Sequence, residues 1–471
     1  MDKKERGSFK GSIGFVLAAA GSAVGLGNIW RFPYLAARDG GGLFLIIYIF
    51  LALTFGFTLV TTEAAIGRKT KQSPLTAYYH LVPKWHWIGL FSCIVPFLIV
   101  PYYCAIGGWV VKYFVAFLTG HGADAASDGY FGEFITGKTE PGIYLFVFLV
   151  LCAVIIYKGV NGGIERSSKI LMPILLFLCI GIAVYSLTLK STDASGNVVN
   201  GLDGLKVYLI PNFEGVGVRE FFSITMDALG QLFFSLSVAM GIMIAYGSYV
   251  PDEANLVKSI NQIEFFDTFV AFLAGVMIIP AVFVFMGSEG MAVGPSLMFV
   301  SLPKVFAQMG SVGNVVGAVF FAMVLFAAVT SAMSLLEAVV SSLMDAFGMS
   351  RKKATITESV IALVIGLIVC AGYNVLYFEY HLPNGSVGQI LDMFDYVSNN
   401  ILMPIVSIAT CLLVGWVMKP QVVIDEATKN GEKFGRKGLY IVMIKFIAPA
   451  FLIILLIMSS GLMDKILSLI N

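Results

Sequence analysis

Long apolar stretches alternate with short polar ones along this chain. Eleven apolar segments are read at 12–37, 42–68, 87–118, 143–158, 163–189, 220–250, 260–288, 312–346, 354–373, 388–418 and 439–463. Crossing a bilayer as a helix takes roughly 20 apolar residues. Backbone amides and carbonyls find no water inside lipid, so runs of this length are helical. A membrane barrel would show alternating segments of about ten residues instead. The pattern predicts an all-α polytopic membrane protein with 11 transmembrane helices.

Two segments are interrupted. Segment 1 carries Gly21-Ser22-Ala23-Val24-Gly25-Leu26-Gly27-Asn28 in mid-span. Segment 6 carries Phe234-Ser235-Leu236-Ser237 near mid-span, with Gly230 before it and Gly241 after it. Their places, first and sixth, divide the chain into two five-helix units with corresponding breaks. Paired interrupted helices point to a midplane binding site of a secondary transporter. The expected organisation is a cytoplasmic N-terminal segment (1–11), a first five-helix repeat (12–189), an extracellular loop (190–219) and a second repeat (220–418). A cytoplasmic loop, an eleventh helix and the C-terminus follow (419–471). The stretch 289–311 is either a helical cap over the outer face or an ordinary ordered loop.

Composition supports this reading. The chain has 471 residues, of which 58% are hydrophobic and 13% charged, against roughly 45–50% and about 25% in soluble domains. Net charge is +1, so there is no basic field for nucleic acid. The polar first 11 residues and the broken first run argue against a cleaved signal peptide. Most Lys and Arg residues fall in or beside 1–11, 69–86, 159–162, 251–259, 347–353 and 419–438. By the positive-inside rule these pieces are cytoplasmic. The N-terminus then faces the cytoplasm and the C-terminus the outside of the inner (plasma) membrane. Six cysteines all lie in apolar runs, and four dispersed histidines show no metal-ligand spacing. There is no Walker loop and no catalytic triad spacing, so no enzyme is expected and a nucleotide-driven pump is excluded.

Glycines in the first segment weaken its helix by roughly 1 kcal/mol each. Unwinding frees carbonyls, which are hard ligands for a small cation, and exposes helix amides suited to a carboxylate. Close packing of small residues explains the same glycines. Arg31 in an apolar surround calls for a carboxylate such as Asp39, Asp392 or Asp395, or for snorkelling to the interface. Glu264 and Asp267 read as caps at the start of segment 7, or, for a deeper Asp267, as a cation ligand. Thr330-Ser331 bond back to the preceding turn or complete a sodium site. Glu337 reads as an inner-vestibule partner. Gly163 and Pro173 frame either an unwinding stretch of segment 5 or a static kink.

The run Gly21–Pro33 resembles the first-helix signature of the neurotransmitter:sodium symporters, in their bacterial amino-acid transporter branch. Gln231–Ser237 and Ala327–Ser331 extend the resemblance over nearly the whole chain. It implies a five-plus-five inverted repeat with helices 1 and 6 unwound mid-membrane, and two Na+ sites. One ion would be held by Ala23, Asn28, Ser235 and Asp267 together with the substrate carboxylate. The other would be held by Gly21, Val24, Ala327, Thr330 and Ser331. An amino-acid substrate would meet the amides of Leu26 and Gly27, the hydroxyl of Tyr103, and Ala23, Phe234, Ser235 and Ser237. Its side chain would lie against Ser22, Ile99, Tyr103, Phe234, Met240, Ser331 and Leu335. The outer gate would be Arg31 with Asp395. The inner gate would be Arg6 with Asp345, supported by Tyr249, with Gly163 and Pro173 allowing helix 5 to unwind.

Several positions depart from the family pattern. Gly25 stands where monoamine transporters have an aspartate, which favours a substrate carrying its own carboxylate. Asp267 stands where many members have Asn, and Ala271 where chloride-dependent members have Ser. Asp267 therefore reads as a built-in charge, with no chloride requirement. Phe9 replaces the usual N-terminal tryptophan, and a twelfth helix is absent. The expected function is sodium-coupled import of hydrophobic L-amino acids by a monomer or weak dimer. The alternative is a symporter for small or polar amino acids such as alanine or glycine.

Overall fold

The computed structural model describes residues 7–192, 196–287, 290 and 296–462. Nine of its helices are long and apolar enough to cross a membrane, and one bent pair makes a tenth such unit among the described residues. That pair is α1 (Ser12–Ala23) and α2 (Gly27–Arg38), bent by 51°. α3 (Gly42–Thr70), α4 (Pro83–Leu118), α5 (Glu140–Tyr157) and α6 (Val160–Thr188) complete the first half. The second half opens on another interrupted pair, α7 (Val218–Ser235) and α8 (Ile242–Ser248). α9 (Leu256–Met286), α10 (Gly310–Phe347), α11 (Arg351–Ala371), α12 (Ile390–Val417) and α13 (Lys437–Ser459) follow.

Packing repeats between the halves. α1 lies against α9, and α7 and α8 lie against α3. Exchanging the first helix of each repeat, and the second of each, carries one contact into the other. The most extensive helix contact is α4 on α10, third helix on third helix. A two-fold pseudo-symmetric bundle therefore buries the two broken helices at its centre. α8 is fixed there by close approach: a Cβ on Gly67 would come 2.0 Å from the Ile244 carbonyl oxygen, and one on Gly247 2.4 Å from that of Ala64. Small residues of this kind let membrane helices touch backbone to backbone.

The spans run longer than hydropathy alone drew them. α9 begins at Leu256, capped by the Asn255 side chain, which accepts from Lys258 N at 2.8 Å. Glu264 and Asp267 thus lie in its third and fourth turns and do not cap it; a polar first turn extends the helix below the apolar run. α6 keeps Gly163 and Pro173 within one helix that opens on a π-turn at Val160–Glu165. Of the stretch 289–311, residues Ser301–Gln308 form a short amphipathic helix. The loop 190–219 holds a small hairpin, Lys190–Thr192 with Val198–Asn200.

Candidate functional site

Each break releases particular backbone atoms. At the end of α1, Val24 N still reaches Ala20 O (2.7 Å), but Gly25 N turns back to Ala23 O (2.8 Å). Asn28 N bonds Gly25 O (3.2 Å). In an unbroken helix those two amides would serve the carbonyls of Gly21 and Val24; both oxygens are therefore freed from the ladder. At the end of α7, Ser237 N bonds Phe234 O (3.2 Å), and Ala239 N bonds Glu63 Oε1 of α3 (2.7 Å). The helical acceptors these amides forsake are the carbonyls of Phe233 and Ser235. Ser237, Ala239 and Gly241 take left-handed conformations, with φ of 53°, 64° and 69°. The second break therefore covers Leu236–Gly241 and lies further along than the run Phe234–Ser237 singled out in segment 6; Ser235 is still helical. The first is narrower than the run Gly21–Asn28, being confined to the residues between Ala23 and Gly27.

Asp267 is fully buried beside the first break. Its Oδ1 accepts from Asn28 Nδ2 (2.8 Å) and Ser235 Oγ (2.6 Å), and its Oδ2 from Tyr48 Oη (3.2 Å). Ser235 Oγ also reaches Asn28 Oδ1 (2.7 Å). Every partner is neutral, and no Lys or Arg pairs with this carboxylate among the described residues. A buried carboxylate without a counter-charge is costly, so a cation fits here. On the other side of α1, the Thr330 hydroxyl donates to Phe326 O and Ala327 O (both 3.0 Å), and Ser331 Oγ donates to Ser22 O (2.8 Å). The freed Gly21 carbonyl belongs to the same neighbourhood, since a Cβ on Gly21 would lie 3.1 Å from Thr330 Cβ. Carbonyls, hydroxyls and one carboxylate suit a hard cation. No group of three or more His, Cys, Asp or Glu with metal-binding geometry exists among the described residues.

Between the breaks is a cavity of ≈ 340 Å³. Ser22, Ala23, Leu26, Gly27, Ile99, Tyr103, Phe234, Ser235, Ser237, Met240, Ser331 and Leu335 all line it, and so do Gly25, Asn28 and Ile242. One end is backbone and hydroxyl: the Tyr103 phenol sits 3.5 Å from Leu26 N, and Ser237 Oγ donates to Ser22 O at 3.2 Å. The other end is apolar, made by Ile99, Met240, Ile242 and Leu335. A Cβ at Gly25 would lie 2.6 Å from Ser331 Oγ and 3.3 Å from Tyr103 Oη, so an aspartate has no room there.

The outer gate differs from a simple pair. Asp395 accepts from Tyr102 Oη (3.1 Å) and Asn399 Nδ2 (2.6 Å). Its charge reaches Arg31, but the two side chains make no ion pair; Asp395 is held one turn along its own helix instead. On the inner side Arg6 lies outside the described residues. Asp345 Oδ2 accepts from Ser73 N (2.6 Å). Tyr249 Oη donates to Glu337 Oε1 (2.6 Å), and Arg351 grips both Glu337 oxygens (2.6 and 2.8 Å). Phe9 is buried edge-on against Tyr246 and Tyr249, and its amide bonds Tyr249 O (3.0 Å). A phenyl ring thus packs at the inner end where the family pattern has a tryptophan.

Sequence reasoning passed over Glu63, Tyr48, Gln231 and the pairing of Glu337 with Arg351. Gln231 Nε2 donates to Gly27 O at 3.1 Å. The signal for Glu63 was present: it is the one acidic residue within the apolar run 42–68, and an ionisable residue inside a span is a functional candidate by default.

The family model for the sodium:neurotransmitter symporter family matches residues 6–127 and 134–466. An uncharacterized sodium-dependent transporter of Bacillus subtilis is 32% identical over 98% of this chain and 100% of its own length. Another from Methanocaldococcus jannaschii is 32% identical over 92% of this chain and 86% of its own. Human sodium- and chloride-dependent GABA transporter 2 is 26% identical, over 88% and 75%. The crystal structure of MhsT in complex with L-phenylalanine superposes with a TM-score of 0.83 at 34% identity, covering 96% of this chain and all of that one. A broken-helix bundle, carbonyls freed at its breaks, a buried carboxylate with only neutral partners, and matches along nearly the full length lead to one conclusion: the chain belongs to the sodium:neurotransmitter symporter family.

Proposed function

We propose that this protein imports hydrophobic L-amino acids, aliphatic and aromatic, by alternating access, coupled to two sodium ions and without a chloride requirement. The observation that carries the reading is the cavity between the breaks, polar at its backbone end and apolar at the other. The L-phenylalanine bound to MhsT supports an amino-acid occupant. One sodium would sit among Ala23, Asn28, Ser235, Asp267 and the substrate carboxylate, the other among Gly21, Val24, Ala327, Thr330 and Ser331. An ion touching the substrate makes coupling direct, since each completes the other's shell and must favour it reciprocally. Asp267 supplies the negative charge that chloride supplies in chloride-dependent relatives. Arg31 with Asp395 would close the outer side, and Arg6 with Asp345 the inner side.

A zwitterionic substrate adds no charge, so the driving force comes from sodium. Each ion gains about 2.3 kcal/mol per 100 mV, and a tenfold gradient adds about 1.4 kcal/mol. Uptake into proteoliposomes, with sodium and chloride varied separately, tests the reading. Leucine, methionine, phenylalanine, tyrosine and tryptophan should compete for a sodium-dependent, chloride-indifferent flux. Competition by alanine or glycine in preference to these five would overturn it.

A further inference from the structure

Away from the cavity between the breaks, two cavities adjoin on the surface shared by α5 and α11. The first is a groove of ≈ 760 Å³. It is walled by Phe146, Val150 and Val154 of α5 and by Ile356, Val360 and Leu363 of α11. Its lining is almost wholly apolar, and Tyr157 and Lys158 close one end. The second is a polar bowl of ≈ 850 Å³, which shares Tyr157 and Lys158 with the groove. Gly159, Asn161, Arg351 and Lys352 continue its wall, and Gly7 places it on the side of the N-terminal segment.

The charges of this bowl are unbalanced. Arg351 is neutralised by Glu337, and Glu165, the acid of the neighbouring turn, is taken by Lys169 (2.5 Å) and the Lys10 amide (3.0 Å). Lys158 and Lys352 form no ion pair with any described carboxylate. Lys352 only rests over the Tyr157 ring, 5.5 Å from its centroid. An apolar channel at hydrocarbon depth thus opens into a basic bowl at headgroup depth. That sequence of environments matches a molecule with an alkyl chain at one end and an anion at the other. A zwitterionic headgroup matches it poorly, because its ammonium would face the same two lysines.

We infer that the α5–α11 groove and the adjoining bowl form one binding site for an anionic phospholipid, its phosphate on Lys158 and Lys352 and an acyl chain along the groove. Basic residues near a membrane surface each attract anionic lipid by an amount that makes two of them worth roughly 30-fold in affinity.

Native mass spectrometry of the full-length protein, released from detergent micelles and titrated with phosphatidylglycerol or phosphatidylcholine, tests the site. Phosphatidylglycerol should remain bound where phosphatidylcholine is lost. The K158Q/K352Q double variant should weaken phosphatidylglycerol by about 30-fold. Both lysines are exposed and unpaired, so their loss leaves the fold intact. V150W fills the groove from an exposed position and should displace the lipid with both lysines in place. Glycerol 3-phosphate alone, lacking the chain, should not bind at matching concentration. Equal retention of the two lipids, an unchanged affinity in either variant, or full binding of glycerol 3-phosphate would each overturn the inference.

Discussion

The two broken helices occupy equivalent places in the two repeats yet are built differently. The α1/α2 break spans Val24–Leu26 and uses no left-handed residue; Val24 simply turns out of the helix at φ −75°, ψ 76°. The α7/α8 break spans Leu236–Gly241, uses three left-handed residues, and is tied to α3 by Glu63. A narrow break redirects a few carbonyls without opening the chain, which is what a small ion needs. A wide break turns side chains such as Ser237 and Met240 toward the cavity, which is what a substrate side chain needs. The two meet where Ser22 Oγ lies 3.2 Å from Ser237 Oγ. Under the proposed function, ion chemistry would be concentrated at the first break and substrate shape at the second.

The largest expected effect attacks the first break. Asp267→Asn removes the charge that faces Asn28 and Ser235 while keeping the size of the side chain. With the proposed sodium ion as its counter-charge, removing one partner of that buried pair would cost roughly 3 kcal/mol, about 150-fold in an equilibrium constant. Sodium-driven uptake in chloride-free proteoliposomes should collapse, and the sodium concentration for half-maximal uptake should rise steeply. Unchanged uptake without chloride would show that Asp267 is not the built-in counter-charge.

The second break is expected to yield next. Glu63→Ala leaves the Ala239 amide buried with no acceptor, at a cost of about 1–3 kcal/mol. Amide exchange across Leu236–Gly241 should accelerate roughly 5- to 150-fold, and the substrate KM should rise. Glu63→Gln keeps an acceptor oxygen in place and should restore most of the protection. If Glu63→Ala left exchange unaltered, the wide break would be held by its left-handed residues alone.

Two glycine substitutions sharpen the contrast. Gly25→Ala puts a methyl against Ser331 Oγ inside the cavity, so it should raise KM with little change in unfolding temperature. Gly241→Ala combines φ +69° with a Cβ 2.6 Å from Pro74 Cγ and 2.9 Å from Ser92 O. The left-handed conformation alone costs about 1–2 kcal/mol with a Cβ, so this change should lower the unfolding temperature. The same substitution would thus read as a ligand effect at one break and a folding effect at the other.

Much of this contrast was hidden from the sequence, for identifiable reasons. The spans were legible because lipid admits few solutions for a long apolar run. Their ends were not, because polar first turns such as that of α9 carry no hydropathic signal. The first break was legible from glycines clustered within Gly21–Gly27. The second was placed too early, since its left-handed residues include Ser237 and Ala239, which nothing in their side chains marks as such. The lining of the cavity came from the family signature, whereas Ile242 follows from the turn at Gly241. Glu63 supports its break from another helix, and the Asp395 contacts with Tyr102 and Asn399 depend on helix rotation. Pairings of this kind arise from packing, which single-chain periodicity does not encode.

The smallest effect belongs to a carboxylate in the opposite setting from Asp267. Asp252 lies in the loop between α8 and α9, where Lys429 (2.8 Å) and Lys71 (3.0 Å) flank an exposed side chain. Hydrogen bonds from Lys429 and then Lys71 draw its pKa down from 3.8 to about 2. A carboxyl depressed on folding stabilises the protein above its unfolded pKa, and that contribution fades as pH falls from about 4 toward 2. Exposed pairs are screened and contribute about 0–1 kcal/mol, so Asp252→Asn should lower the unfolding temperature only slightly at pH 7. The gap from wild type should narrow with acid, and it should also shrink in high salt. Asp267→Asn should keep its transport defect in the same salt, because a buried charge is screened far less. A salt-sensitive defect at Asp267, or a salt-insensitive one at Asp252, would erase the distinction between the buried carboxylate at the first break and the exposed one in the loop.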